Sequence, residues 1–195
     1  MRHWFYIGLF GAVLASAGLT VPFAFAQAPQ KDQVALFSAA AKDGRTGIAR
    51  KTKAVDARPA VAGETIVTII KGEGVQTTSK PAEAGDWVVR NRCPETGNEE
   101  YLVKAAKFPG RYGEAQSEPD AAGYRTFVPK GSEMGYFMVS PAEGDFSFTA
   151  PWGEAMVAKT GDAIVQSPAD PADTYRIAAA SFACTYEIVT APAKP

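Results

Sequence analysis

The feature that most constrains the fold of this chain is a pattern that occurs twice. The sequence GDWVV at residues 85–89 recurs as GDAIV at residues 161–165, at an offset of 76. Downstream, four apolar or aromatic residues recur at identical spacing with an offset of 74. They are Tyr101, Val103, Phe108 and Tyr112 in the first copy, and Tyr175, Ile177, Phe182 and Tyr186 in the second. This self-similarity predicts two copies of one structural unit.

Each copy predicts a β-hairpin followed by a short helix. Gly-Asp favours a turn, because glycine accepts a positive φ angle and aspartate can bond its own backbone. The β-branched run after it predicts a strand, and a loop rich in turn-forming residues leads to the returning strand. Phe108 and Tyr112, four residues apart, share one face of a helical turn, and so do Phe182 and Tyr186. The fold class is therefore α+β, with two tandem, small, β-rich repeats preceded by a cleaved signal peptide.

A unit of about 50 residues buries too little apolar surface to be stable alone, so we expect the copies to pack on each other. The predicted core consists of the apolar and aromatic positions of the repeated pattern. It comprises Trp87, Val89, Tyr101, Val103, Phe108, Tyr112, Val165, Tyr175, Ile177, Phe182 and Tyr186.

The segments around the copies contain few periodic patterns. A short helix capped by Asp32 is expected near the start, and the basic stretch from Arg45 to Arg58 is interpreted as a solvated tether. The segment around Phe127 could add a strand. The predicted division is a lead-in at residues 27–62, a first repeat at 63–114, a linker at 115–135, a second repeat at 136–190 and a tail at 191–195.

Residues 1–26 have the pattern of a secretory signal peptide. Arg2 is the only firmly charged residue before Lys31, and the apolar run ends in Ala-Phe-Ala. This predicts cleavage after Ala26, with cleavage after Ala17 or an uncleaved membrane-anchoring helix as alternatives. We therefore expect a periplasmic or secreted protein without a stable membrane span after cleavage.

The composition argues against several functions. Cleavage after Ala26 would leave 19 basic and 21 acidic residues, a net charge near −2, so nothing in the charge favours nucleic acid as a partner. The only histidine, His3, lies in the predicted signal peptide. Its removal would exclude a Ser-His-Asp triad, a Cys-His pair and any His-ligated metal site. We expect no cofactor, no metal and no catalytic constellation.

Cys93 and Cys184 are the two cysteines of the chain, 91 positions apart. In an oxidising compartment they could form one disulfide. Two separate thiols are the alternative, because a bridge requires Cα atoms within about 7 Å of each other.

Two further sets of residues are candidates for chemistry. Asp86 and Asp162 form a matched pair of carboxylates, although turn formation is the preferred interpretation. The second set is a basic face that only the first copy carries, suited to an anionic ligand or acidic partner. It comprises Arg90, Arg92, Lys104, Lys107 and Arg111. The alternative is a solvated surface without function.

The first copy contains Ala84-Gly85-Asp86-Trp87-x-Val89, then Gly97-x-Glu99-x-Tyr101-x-Val103, then Phe108-x3-Tyr112. This succession resembles the PGDYG-type family of small bacterial proteins. The second copy departs from it, because Ala163 stands where the first has Trp87 and a loop rich in Asp and Pro replaces the Gly97 and Glu99 positions. The resemblance implies a bacterial origin and a shared turn-and-core signature, and no established activity comes with it.

We therefore expect a non-enzymatic, exported protein that binds an envelope protein or an anionic ligand. Two alternatives stay open. One is a carboxylate-dependent envelope enzyme acting on glycans or small molecules, and the other is a purely structural spacer.

Overall fold

The computed structural model describes residues 28–194, and the predicted signal peptide lies outside them. Within these residues the helices are α1 (Gln33–Lys42), α2 (Phe108–Arg111) and α3 (Ala179–Thr185), with a 3-10 turn at Pro94–Thr96. The first strands are β1 (Gly47–Lys51), β2 (Val55–Pro59), β3 (Val67–Ile70), β4 (Gly74–Thr78), β5 (Trp87–Asn91), β6 (Glu100–Val103) and β7 (Tyr112–Ala115). The others are β8 (Arg125–Pro129), β9 (Glu133–Met138), β10 (Phe146–Thr149), β11 (Ala155–Ala158), β12 (Ala163–Ser167), β13 (Asp170–Ile177) and β14 (Tyr186–Thr190).

The strands form two five-stranded antiparallel sheets with equivalent orders. One sheet has the order β6-β5-β2-β8-β7, and the other has the order β13-β12-β9-β1-β14. Hairpins β3-β4 and β10-β11 occupy the same place in each succession. We call β2 to β8 the first half and β9 to β14 together with β1 the second half. The β-rich α+β class expected from the sequence is confirmed.

The two halves are connected by an exchange of strands. Only residues 52–54 separate β1 from β2, and only residues 130–132 separate β8 from β9, yet each pair is divided between the two sheets. In the first sheet, Ala57 lies between Val89 and Arg125. In the second sheet, Tyr136 lies between Val165 and Gly47. Gly47 of β1 and Arg125 of β8 therefore hold corresponding positions in opposite halves.

The interpretation of the basic stretch from Arg45 to Arg58 as a solvated tether is wrong. It forms β1 and β2, in which Ala49, Val55 and Ala57 are fully buried. These small apolar residues alternate with charged ones, as expected for strands with one face buried. Because the buried side chains are small and each strand has only five residues, the charged residues dominate the composition, and the segment resembles a polar linker.

The predicted linker at residues 115–135 also belongs to the folded structure. Its segment from Arg125 to Pro129 is β8, and the buried Phe127 of this strand packs in the core of the first half. Near the N-terminus, α1 begins after Asp32, whose Oδ1 accepts hydrogen bonds from the Val34 and Ala35 amides, as an N-cap should.

Each half has an aromatic core at its short helix. In the first half Trp87 stacks on Phe108, with ring centroids 4.1 Å apart. In the second half Phe182 contacts both Tyr136 and Tyr186, each at 5.1 Å. Of the predicted core, the buried members are Val89, Val103, Phe108, Tyr112, Val165 and Phe182. The partly buried members are Trp87, Tyr101, Tyr175, Ile177 and Tyr186.

Candidate functional site

The two Gly-Asp motifs form matching structural clasps. Gly85 and Gly161 have φ angles of +89° and +93°, which a side chain would disfavour. The buried carboxylate of Asp86 accepts hydrogen bonds from the amides of Glu83 and Ala105. The Asp86 carboxylate therefore ties the turn before β5 to the segment that follows β6.

The corresponding carboxylate of Asp162 accepts from the amides of Lys159 and Ala179, and one cation completes each clasp. Lys104 Nζ lies 3.0 Å from Asp86, and Arg176 Nε lies 2.7 Å from Asp162. Burial opposes ionisation of Asp86, but its hydrogen bonds outweigh that effect and lower its pKa. Both carboxylates are engaged in structure, so the pair offers no two-carboxylate mechanism.

The predicted basic face is divided into three groups, each neutralised by carboxylates. Arg90 and Arg92 both contact Asp56, at 3.4 and 2.6 Å. Lys104 contacts Asp86 and Glu83. The partner Asp56 precedes the first copy of the motif by some thirty residues, so spacing alone does not reveal the pairing.

The remaining two cations of that face point to the second half. Lys107 Nζ lies 3.4 Å from the Asp173 carboxylate, and Arg111 lies 3.5 Å from the same group. The Arg111 guanidinium also lies over the ring of Tyr175, 5.4 Å from its centroid. These two residues therefore form ion pairs between the halves, and Arg111 adds a cation–π contact to Tyr175.

A disulfide joins the halves beside these contacts. Cys93, at the start of the 3-10 turn, is bonded to Cys184 of α3, with Cα atoms 6.2 Å apart. Glu95 lies close to both sulfur atoms, and this is the one cluster of metal-ligand atoms among residues 28–194. Because the sulfurs are bonded to each other, neither is a thiolate that could hold a metal ion.

A polar cluster lies between the halves around Lys51 of β1. Its Nζ donates to Asn91 Oδ1 at 2.6 Å and to the Tyr101 hydroxyl at 2.9 Å. The Tyr101 hydroxyl is also 2.9 Å from that of Tyr112. Burial lowers the pKa of Lys51 to about 7, although the negative charge of Glu99 opposes the shift. Burial raises the pKa of Tyr112 to about 12.

Glu99 connects this cluster to the second half. Its carboxylate is buried and accepts hydrogen bonds from Asn91 Nδ2 at 2.8 Å and from Ser181 Oγ at 2.6 Å. Thr96 donates a third hydrogen bond. A buried carboxylate next to an amine of lowered pKa is the part of the interface that most resembles a reactive site.

The first half carries a surface groove of about 580 Å³. Trp87, Phe108 and Phe127 line it, and the Phe127 ring meets the Trp87 ring edge-on at 5.5 Å. Four consecutive residues of β7, Tyr112–Ala115, line it as well. A shallower concavity of about 440 Å³ lies beside hairpin β3-β4 and is lined in part by Arg90.

Two cations at the groove were not among the binding residues expected from the sequence. Arg125 and Lys130 line it and are exposed, and neither forms an ion pair with any residue of the 28–194 portion. Both lie in the segment expected to be a linker. The strand expected around Phe127 is β8, and it includes Arg125, but nothing in the local sequence shows that these two cations line a groove.

Comparisons with protein-family models, with curated proteins and with solved structures found no match to this chain. The resemblance to the PGDYG-type family therefore stays a prediction.

Across residues 28–194, no helix has both the length and the apolar character needed to cross a bilayer.

Proposed function

We propose that this protein is a non-enzymatic, exported binding protein of the bacterial envelope. The observation that carries the proposal is the groove of the first half, where partly exposed Trp87 lies beside the exposed cations Arg125 and Lys130. Aromatic rings with few convergent polar groups in a concave surface are typical of binding sites.

Export is supported by two independent features. The N-terminal pattern predicts a signal peptide, and the Cys93–Cys184 disulfide is of a kind that persists in oxidising compartments. A periplasmic or secreted location explains both. Non-reducing mass analysis of protein taken from its native compartment tests this, and two free thiols would contradict it.

The duplicated origin is supported by the equivalent strand orders of the two halves and by their matching Gly-Asp clasps. In sequence, one unit runs from β1 to β7 and the other runs from β8 to β14. In space, the two first strands have changed places. Such an exchange makes the halves mutually dependent, as expected for units too small to be stable alone.

The test of function is crosslinking and co-purification of the tagged full-length protein from its own envelope fraction. We expect a reproducible partner that is lost in the double variant Arg125→Gln/Lys130→Gln. The matched control is Arg90→Gln/Arg92→Gln, which removes two cations that are already paired with Asp56. Partner loss only in the control would move the site to the basic face, and the absence of any partner would favour the structural spacer.

A second candidate, a carboxylate-dependent enzyme, is favoured by one observation. Buried Glu99 lies in the same cluster as Lys51, whose pKa burial lowers to about 7. Incubation with envelope glycan fragments, followed by mass analysis of products, tests this candidate. Turnover that Glu99→Gln abolishes while the groove variant retains it would replace the binding proposal.

A further inference from the structure

We propose that the groove of the first half binds a short acidic peptide segment in an extended conformation. This inference rests on the proposed binding function and names the class of partner. Three observations carry it: an available strand edge, an apolar floor and two exposed cations.

The strand edge comes from β7. This strand is the outermost member of its sheet and pairs only with β8. All four residues of this strand, Tyr112–Ala115, line the groove, so the groove adjoins β7 along its whole length. The pairing of β7 with β8 is also irregular between Tyr112 and Ala115. The backbone of Gly113 and Glu114 is therefore placed to pair with an added extended chain.

The floor provides apolar contact for alternate side chains of that chain. Trp87 is held rigidly, because its ring is stacked on Phe108 at 4.1 Å and abuts Phe127 edge-on. It is nevertheless only partly buried and lines the groove. A rigid, partly exposed aromatic ring is the kind of residue that dominates binding energy in interfaces.

The charge selects an acidic sequence. All five cations of the predicted basic face have a carboxylate within 4.0 Å, whereas Arg125 and Lys130 have none among the described residues. Glu114 is the single acidic residue among those lining the groove. The excess of positive charge favours a partner with acidic side chains, which Arg and Lys can bind directly.

The competing occupant is an acidic glycan, which could stack on Trp87 and bind the same cations. A peptide is favoured because a glycan would leave the β7 edge unused. Main-chain hydrogen bonds supply much of the affinity when a peptide adds to a sheet edge.

The probe is the peptide acetyl-Glu-Val-Glu-Val-Glu-amide, titrated into the purified, disulfide-bonded protein by calorimetry. Nuclear magnetic resonance of the Gly113 and Glu114 amides and of the Trp87 indole locates the binding. We expect saturable binding that weakens roughly tenfold or more for the all-Gln peptide, for a peptide N-methylated at alternate nitrogens and for Arg125→Gln/Lys130→Gln. The control Arg92→Gln removes a paired cation outside the groove and is expected to bind as the unchanged protein does.

Two results of these titrations overturn the inference. One is equal affinity for the acidic and all-Gln peptides. The other is binding of oligogalacturonate with no binding of peptide, which would assign the groove to acidic glycans. Lys130→Gln alone keeps the test valid if the double variant unfolds, because Lys130 is exposed after the end of β8. A groove-dependent envelope partner without peptide binding would overturn this inference and leave the proposed function intact.

Discussion

The two halves have the same strand order but obtain their aromatic cores from different strands. At three corresponding positions the first half has Ala57, Trp87 and Phe127, and the second half has Tyr136, Ala163 and Ala49. Where one half has a large residue, the other half has alanine at the corresponding position. The total side-chain volume in each small core is thereby kept similar. In the second half Tyr136 is buried against Phe182, whereas in the first half Trp87 supplies the corresponding contact to Phe108 from a more exposed position.

This difference determines which half has an open groove with cations. Arg125 corresponds to Gly47, and Lys130 to Thr52. A Cβ atom at Gly47 would lie 2.6 Å from the Tyr136 ring and 2.4 Å from the Thr190 carbonyl oxygen. The second half therefore cannot carry a side chain where the first half has Arg125. The second half is packed at this place, whereas the first half has an exposed surface.

Removal of the two clasp carboxylates is expected to have the largest effect, and it tests whether the two Gly-Asp clasps contribute equally to the free energy of unfolding. Asp162→Ala would leave Arg176, which is 5% exposed, without its closest carboxylate, so we expect a loss of about 3–5 kcal/mol of unfolding free energy. Asp86→Ala leaves Lys104 near solvent and near Glu83, so about 1–3 kcal/mol is expected. Urea unfolding of both variants measures this. Equal losses would contradict the distinction.

Removal of the disulfide by substitution tests how strongly the unfolding of one half is coupled to the unfolding of the other. Cys93→Ser/Cys184→Ser is expected to lose about 2–4 kcal/mol, because the unfolded chain is no longer constrained. The exchanged strands should still hold the halves together, so unfolding should stay a single transition by fluorescence and by circular dichroism. Two separate transitions would show that the disulfide, and not the exchange, couples the halves.

A matched pair of substitutions compares the stability cost at two corresponding positions, one packed in the second half and one exposed in the first half. Gly47→Ala is expected to cost about 1–3 kcal/mol, since the added methyl group overlaps the Tyr136 ring and a backbone oxygen. Arg125→Ala at the corresponding exposed position should change stability by less than about 0.5 kcal/mol. Thermal unfolding distinguishes them, and similar melting temperatures would argue against the correspondence.

The pH dependence of stability reports on Lys51, where a strand of the second half enters the first. Its pKa is about 7 in the folded protein against a usual value of 10.5. The unfolded state therefore binds more protons between these pH values, and stability should rise with pH across that window. Above about pH 10 the raised pKa values of Tyr101 and Tyr112 reverse the trend, because only the unfolded tyrosines ionise.

The variant Lys51→Met removes the first of these contributions. Denaturation between pH 7 and pH 10 should then show a flatter slope than the unchanged protein, while the decline above pH 10 persists. An unchanged slope below pH 10 would assign it to other groups.

The candidate site was less predictable than the fold class. The basic residues of the first copy are visible in the sequence, but their carboxylate partners are far away along the chain, such as Asp56 for Arg92 and Asp173 for Arg111. Arg125 and Lys130 lie in a segment whose composition resembles a linker. Pairing and exposure depend on which strands become neighbours, and local patterns carry no information about that.

The sequence by itself determined the local elements of this protein. Positive φ at Gly85 and Gly161, the short helices that contain Phe108 and Phe182, and the β-branched runs all follow from short-range sterics and periodicity. The expectation that Tyr112 and Tyr186 share the helical turn with these phenylalanines is wrong, because both tyrosines have extended backbones and begin β7 and β14. Only the tertiary structure decided that β1 and β8 change places, that Cys93 meets Cys184 and that Tyr136 fills the space that Trp87 fills in the other half. Such pairings are set by which sheet buries each strand, a free-energy difference of the whole assembly.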